Sequence, residues 1–220
     1  MSRFNEKNIL FDFDGTLMDT SRGVFNSFDH VCDSFGIERK GAAFYSRLIG
    51  PPLMESFTNA FGFSEEDAKK AMFYYREYYT PKGIFEVEVY EGLPELLQKL
   101  KTAGKKLFVA TSKPEVFARQ LLEHFSLLDY FDFAGGSDLE ETRVAKSDVI
   151  EYVLAQGGIK DKNDCLMIGD RKFDVEGAKA CGLKTLGILW GFGSEEELLS
   201  SGAVALAKDP SQLGELLLKA

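Results

Sequence analysis

A short apolar run, Ile9-Leu10-Phe11, ends in two carboxylates two residues apart, Asp12 and Asp14, followed by Gly15 and Thr16. Acids carried to the tip of a buried strand stand where open α/β sheets bind ligands. Side by side they repel, so the spacing makes sense if a cation joins them or if one of them contributes its backbone carbonyl. That combination points to magnesium and phosphate. Further polar groups fall at or just beyond other predicted element ends. Thr111-Ser112 follows the apolar run Leu107–Ala110, Gly169-Asp170 with Asp174 follows Cys165–Ile168, and Lys146 heads a helical stretch between them.

The elements that must hold these residues can be read from hydrophobic period and punctuation. The strand candidates, at 107–110, 131–134, 165–168 and 185–189, are short continuous apolar runs, as expected where helices cover both faces of a parallel sheet. Helical stretches separate them: one with Leu96, Leu97 and Leu100 ending at Gly104, then about 116–125, 149–154 and 175–181. Asp209-Pro210 reads as an N-cap and first helical position for a last helix through Leu218. This alternation predicts an α/β class.

Between the first and second strands the period stays helical. Val24, Phe25, Phe28, Val31, Cys32 and Phe35 share one face and Gly36 closes it; Leu53, Met54, Phe57, Ala60 and Phe61 form a second stripe behind Gly50-Pro51-Pro52. Ser64 and Asp67 resemble a capping box opening a third helix, which runs to Pro81. Residues 18–84 are therefore expected to form an all-helical inserted domain, and 1–17 with 85–220 a Rossmann-like core. The aromatic side chains of the insertion are read as its own core. His30 and His124, the only histidines, are given no catalytic role.

With 220 residues, 45% hydrophobic, the chain can bury one sizeable core or one core with a smaller unit. Cys32, Cys165 and Cys181 are widely spaced and odd in number, which reads as buried reduced thiols and not as a disulfide framework or zinc site. A formal charge of -9 without a Lys/Arg cluster argues against nucleic acid. No stretch approaches the roughly 20 apolar residues that span a bilayer. The expectation is a cytoplasmic protein, monomer or homodimer, and a metabolite-sized phosphate stays compatible with the charge, since it requires only local positive charge.

The four motifs, in this order, resemble the signature of the haloacid dehalogenase superfamily of phosphohydrolases. That signature runs DxDGT, a Thr/Ser strand end, a lysine, then GDxxxD. Here these are Asp12-Phe-Asp14-Gly-Thr16, Thr111-Ser112, Lys146, and Gly169-Asp170 with Asp174. The resemblance covers essentially the whole chain, and within the superfamily the chain looks like the phosphoglycolate-phosphatase-like branch with a helical cap. It implies a three-layer Rossmann-like core with a central parallel sheet, the cap inserted after the first strand, and a magnesium-dependent phosphatase. The implied substrate is phosphoglycolate-like, a sugar phosphate or a nucleoside monophosphate.

The resemblance also implies roles. Asp12 is the nucleophile that forms an aspartyl phosphate, and Asp14 the general acid and base. Thr111, Ser112 and Lys146 bind the phosphoryl oxygens. Asp12, the Asp14 carbonyl and Asp170 hold the metal, with Asp174 holding its waters or orienting Lys146. One departure stands out: Ser147 follows Lys146 where relatives often carry proline, so Arg143 and Lys172 are alternative sources of the charge. Arg47 and Gly50, on a cap loop, are the candidates for touching the leaving group. Alternatives of the same superfamily are a phosphomutase and a metal-free dehalogenase, which lacks the second acid. From another class comes a phospho-aspartate signalling module.

Overall fold

The computed structural model describes residues 4–139 and 142–218. Its chain divides into two compact units, one made of the residues up to Met18 and from Val89 onward, the other of Asp19–Glu88.

The first unit is built on a six-stranded sheet. Its strands are β1 (Asn8–Phe11), β4 (Lys106–Pro114), β5 (Phe133–Ser137), β6 (Cys165–Gly169), β7 (Lys184–Ile188) and β8 (Ala205–Ala207), in the spatial order β5-β4-β1-β6-β7-β8 and parallel throughout. The helices of this unit are α5 (Leu93–Thr102), α6 (Glu115–His124), α7 (Lys146–Gln156), α8 (Lys172–Ala180), α9 (Glu195–Ser201) and α10 (Pro210–Leu217). The expected α/β class with a parallel central sheet is what the chain adopts.

The continuous apolar runs explain the sheet's position: Ile9, Leu10 and Phe11 of β1, and Leu166, Met167 and Ile168 of β6, are fully buried. On one side, Leu10, Phe108 and Met167 pack with Val149, Ile150, Val153 and Leu154 of α7 and Ala178 of α8. The strand β1 lies between β4 and β6, with Phe11 level with both Val109 and Ile168. Chain connections leave β1 toward β4-β5 on one side and β6-β7-β8 on the other, so the switch point of the sheet falls at its tip.

Local differences from the sequence reading have local causes. The strand β5 begins at Phe133, not 131, because Leu128–Tyr130 forms a 3-10 turn and the Asp132 carboxylate accepts the Leu107 N–H at 2.9 Å. The helix α9 and the three-residue strand β8 are additional elements. The last helix is capped as expected, the Asp209 carboxylate accepting the Gln212 N–H at 2.8 Å with Pro210 at the first turn.

The second unit holds α1 (Ser21–Phe35), α2 (Ala42–Tyr45), α3 (Leu53–Glu55), which continues into a π-helical turn at Ser56–Ala60, and α4 (Glu65–Tyr79). Phe28 is the centre of its core, with ring centroids 5.2 Å from Tyr45, 5.7 Å from Phe57 and 5.2 Å from Tyr75. Ser64 caps α4 by accepting the Asp67 N–H at 3.1 Å. The unit extends past the expected 84 to Glu88 because the turn Gly83–Phe85 lies against α1. A Cβ on Gly23 would stand 1.9 Å from the Gly83 carbonyl oxygen, and Gly23 N–H donates to Glu86 at 3.1 Å. The chain passes between the units through two short paired strands, β2 (Met18–Asp19) and β3 (Glu88–Val89). No described helix is long and apolar enough to cross a membrane.

Candidate active site

The tips of three neighbouring strands, β4, β1 and β6, bring together residues that the sequence singled out. Asp12 directly follows β1, and its N–H still pairs with the Ile168 carbonyl at 2.9 Å, so the ladder to β6 fixes its backbone. Asp170 directly follows β6 and is completely buried. Thr111, also buried, lies near the end of β4, two residues beyond Val109, the partner of Phe11.

Lys146, in the first turn of α7, reaches into this cluster. Its Nζ donates to Asp12 Oδ1 at 2.6 Å and to the Ala110 carbonyl at 3.1 Å, and stands 2.8 Å from Asp174 Oδ1. Burial opposes the ammonium charge, but Asp12 and Asp174 outweigh it and hold the lysine above its ordinary range. The alternative cations are engaged elsewhere: Arg143 donates to the Gly136 carbonyl at 2.8 Å and lies 3.7 Å over the Tyr152 ring, while Lys172 Nζ sits 5.3 Å from the Phe173 ring centroid. Asp174 is held by its own helix start, its Oδ2 accepting the Arg171 N–H at 3.0 Å.

Asp12, Asp170 and Asp174 each present a carboxylate oxygen within 4.8 Å of the others. Crowding them in a buried place has an electrostatic cost. Burial first and Asp174 second push Asp12 up to about 6, against the pull of Lys146; burial, Asp174 and Asp12 push Asp170 well above the usual carboxylate range. Three buried acids facing one lysine make an all-oxygen, charge-deficient set, the donor chemistry that suits a hard divalent cation such as magnesium. The residues present therefore fit that ion.

Asp170 is positioned by two groups to which the sequence reading gave no role, Thr16 of the first motif and the backbone of Phe192. Thr16 Oγ1 donates to its Oδ1 at 3.2 Å, and the Phe192 N–H donates to its Oδ2 at 2.7 Å. Trp190 Nε1 in turn donates to the Thr16 carbonyl at 3.1 Å. Gly15, at φ 85°, is needed here twice over: its backbone is left-handed, and a Cβ would lie 2.4 Å from Asp170 Oδ2.

Asp14 stands apart from the three clustered acids. Its Oδ1 accepts a hydrogen bond from Lys113 Nζ at 2.8 Å, and Lys113 is a second lysine that sequence reasoning missed. Ser112 is half-buried between Thr111 and Lys113. Arg47 and Gly50 belong to the helical unit. Arg47 is exposed on the 3-10 turn Ser46–Leu48 with its guanidinium 5.6 Å over the Phe44 ring centroid, and Gly50 is exposed at φ 109°.

Comparison with known proteins agrees with this geometry. The family model described as haloacid dehalogenase-like hydrolase matches residues 9–188. A 5'-nucleotidase of Pseudomonas aeruginosa is 40% identical over 96% of this chain and 95% of its own length. The tyrosine-protein kinase PtkA of Mycobacterium tuberculosis is 35% identical over 95% of this chain and 72% of its own. The crystal structure of a predicted phosphatase from Clostridium acetobutylicum superposes with a TM-score of 0.91 at 42% identity, covering 97% of this chain and 98% of that one.

Proposed function

Because the chain belongs to the haloacid dehalogenase-like hydrolases, we propose that it is a magnesium-dependent phosphatase acting on a small phosphomonoester through an aspartyl phosphate on Asp12. The observation that carries this reading is the bridge of Lys146 from Asp12 to Asp174 inside a buried acid cluster. A carboxylate in its ionised form needs no base to attack phosphorus, and Lys146 favours that form of Asp12.

In this reading Asp12 forms the bond to phosphorus as the ester oxygen leaves, and Asp14 donates the proton that the departing alkoxide takes up. Asp14 then accepts a proton from the water that cleaves the acyl phosphate. Lys146, the Thr111 hydroxyl and the Ser112 N–H meet the charge spread over the equatorial oxygens. Asp12, the Asp14 carbonyl and Asp170, with Asp174 behind them, would hold magnesium, which would supply positive charge to offset the crowded carboxylates. The helical unit acts as a cap that excludes bulk water during transfer, its hinges in Leu17–Thr20 and at 84–92, and Arg47 and Gly50 contact the leaving group.

Identity of 40% with a protein called a 5'-nucleotidase puts nucleoside monophosphates ahead of phosphoglycolate and sugar phosphates as substrates. Such a metabolite enzyme would act in the cytoplasm.

Phosphate release from a panel of monoesters tests the proposal. Release should require Mg²⁺, stop with a chelator and fall to background in Asp12→Asn; full turnover in that variant would refute it. The same panel separates the alternatives. A mutase would return the phosphoryl group to a sugar, a dehalogenase would free halide in the presence of chelator, and transfer of label to a protein tyrosine would favour the activity named for the mycobacterial relative.

A further inference from the structure

We propose that Lys113 is a positioning residue for Asp14, delivered to it by a bulge in β4; the role rests on the phosphatase reading above. In the β4–β5 ladder Thr111 faces Gly136 and Pro114 faces Ser137, so three steps along β4 match one step along β5. Ser112 and Lys113 are the surplus residues. Bulges of this kind re-aim side chains beside active sites.

Two local features secure the bulge. The Lys113 N–H folds back to donate to Thr111 Oγ1 at 3.1 Å. Opposite it, Gly136 leaves room that no other residue would: a Cβ there would stand 2.4 Å from the Lys113 carbonyl oxygen and 2.8 Å from the Glu115 nitrogen. The outcome is a lysine side chain only 5% exposed, its Nζ 2.8 Å from Asp14 Oδ1 and 5.5 Å from the Phe13 ring centroid.

Lys113 is almost wholly withdrawn from water while Asp14 is partly buried, a desolvation that their attraction repays only in part, so such a pair is a poor device for stability alone. Here it divides labour. Lys146 is committed to Asp12, Asp174 and the Ala110 carbonyl, whereas Lys113 serves Asp14. With Oδ1 tied to Lys113, the Asp14 carboxyl keeps one orientation, and Oδ2 is the oxygen that exchanges the proton. As the bond from Asp12 to phosphorus forms and the ester bond breaks, its electron pair goes to the ester oxygen, which takes the proton from Asp14. Lys113 keeps its own proton throughout.

Leaving-group dependence separates this role from a merely structural one. An alkoxide needs the proton at departure, while p-nitrophenolate leaves without it. The ratio kcat/KM reports only the steps through phosphoryl transfer to Asp12, so subsequent hydrolysis of the acyl phosphate does not blur the comparison. In Lys113→Met, kcat/KM for the best alkyl monoester of the panel should fall on the order of 100-fold, the low end of general acid catalysis, and for p-nitrophenyl phosphate by less than about 5-fold. Lys113→Arg should recover most of the alkyl activity. Should the methionine variant fold poorly, Lys113→Gln gives the same ratio within a single sample. Equal losses for both esters, in either variant, overturn the inference and leave the phosphatase reading intact. Absence of Asp12-dependent release by the unaltered protein overturns both.

Discussion

At the residue scale, the site combines groups of two kinds, those whose chemistry is visible as a residue type and those that act by geometry alone. Asp12, Asp14, Lys146, Asp170 and Asp174 were legible because acids and a lysine at strand ends and helix heads have few other uses in that pattern. Thr16 was legible only as part of a motif; its hydrogen bond to Asp170 spans 154 positions and has no local signal. The Phe192 N–H is less visible still, since any residue there has one. Thr16→Val keeps the shape of the side chain and removes the donor. Outer partners of metal-ligating carboxylates commonly contribute about tenfold or more in affinity. The half-saturating Mg²⁺ concentration for phosphate release should therefore rise about tenfold in this variant, with turnover recovering at saturating Mg²⁺. An unchanged Mg²⁺ titration would show that Thr16 does not serve the metal.

At the element scale, period and caps carried most of the fold. The helices α1, α4, α7 and α8 and the strands β1, β4, β6 and β7 lie where continuous apolar runs and Gly, Pro, Ser and Asp punctuation place them. The bulge in β4 was hidden because it depends on Gly136 of the neighbouring strand, which lies 25 or so positions away in sequence and across the ladder in space. The strand β8 was hidden for another reason: three small or branched apolar residues, Ala205-Leu206-Ala207, pair only with β7 and have no period of their own. The cap of α10, in contrast, was plain in Asp209-Pro210. Asp209→Ala removes the acceptor for the Gln212 N–H, and a lost N-cap costs about 1 kcal/mol. For a chain of this size that corresponds to a lowering of Tm by roughly 2–4 °C, measurable by calorimetry or circular dichroism. The substitution lies on an exposed residue outside the acid cluster, and Mg²⁺-dependent phosphate release should remain at the level of the unaltered protein.

At the scale of the whole molecule, 220 residues with a formal charge of -9 are organised as two units, each with its own buried core. The three thiols show how those cores protect reactive groups. Cys32 lies within the helical unit and Cys165 and Cys181 within the sheet unit, all buried and free. Burial is the main cause that raises all three, and it pushes Cys165 and Cys181 up to about 11. At pH 8 a thiol of that kind is thiolate in roughly one molecule per thousand. A disulfide reagent such as DTNB should therefore label the native protein slowly at all three positions and promptly after denaturation. Rapid release of one equivalent of chromophore from the native protein would contradict the described burial.

The paired strands β2 and β3 have one more consequence. Since the chain departs and returns at neighbouring points, the 70-residue helical segment is a cassette whose two ends are already joined by backbone pairing. Exchanging such a cassette asks little of the six-stranded platform, because the gap to be closed stays the same whatever length of chain fills it. A lineage can thus replace or reshape the helical unit through one contiguous stretch of gene, while the buried acids of the sheet unit stay untouched.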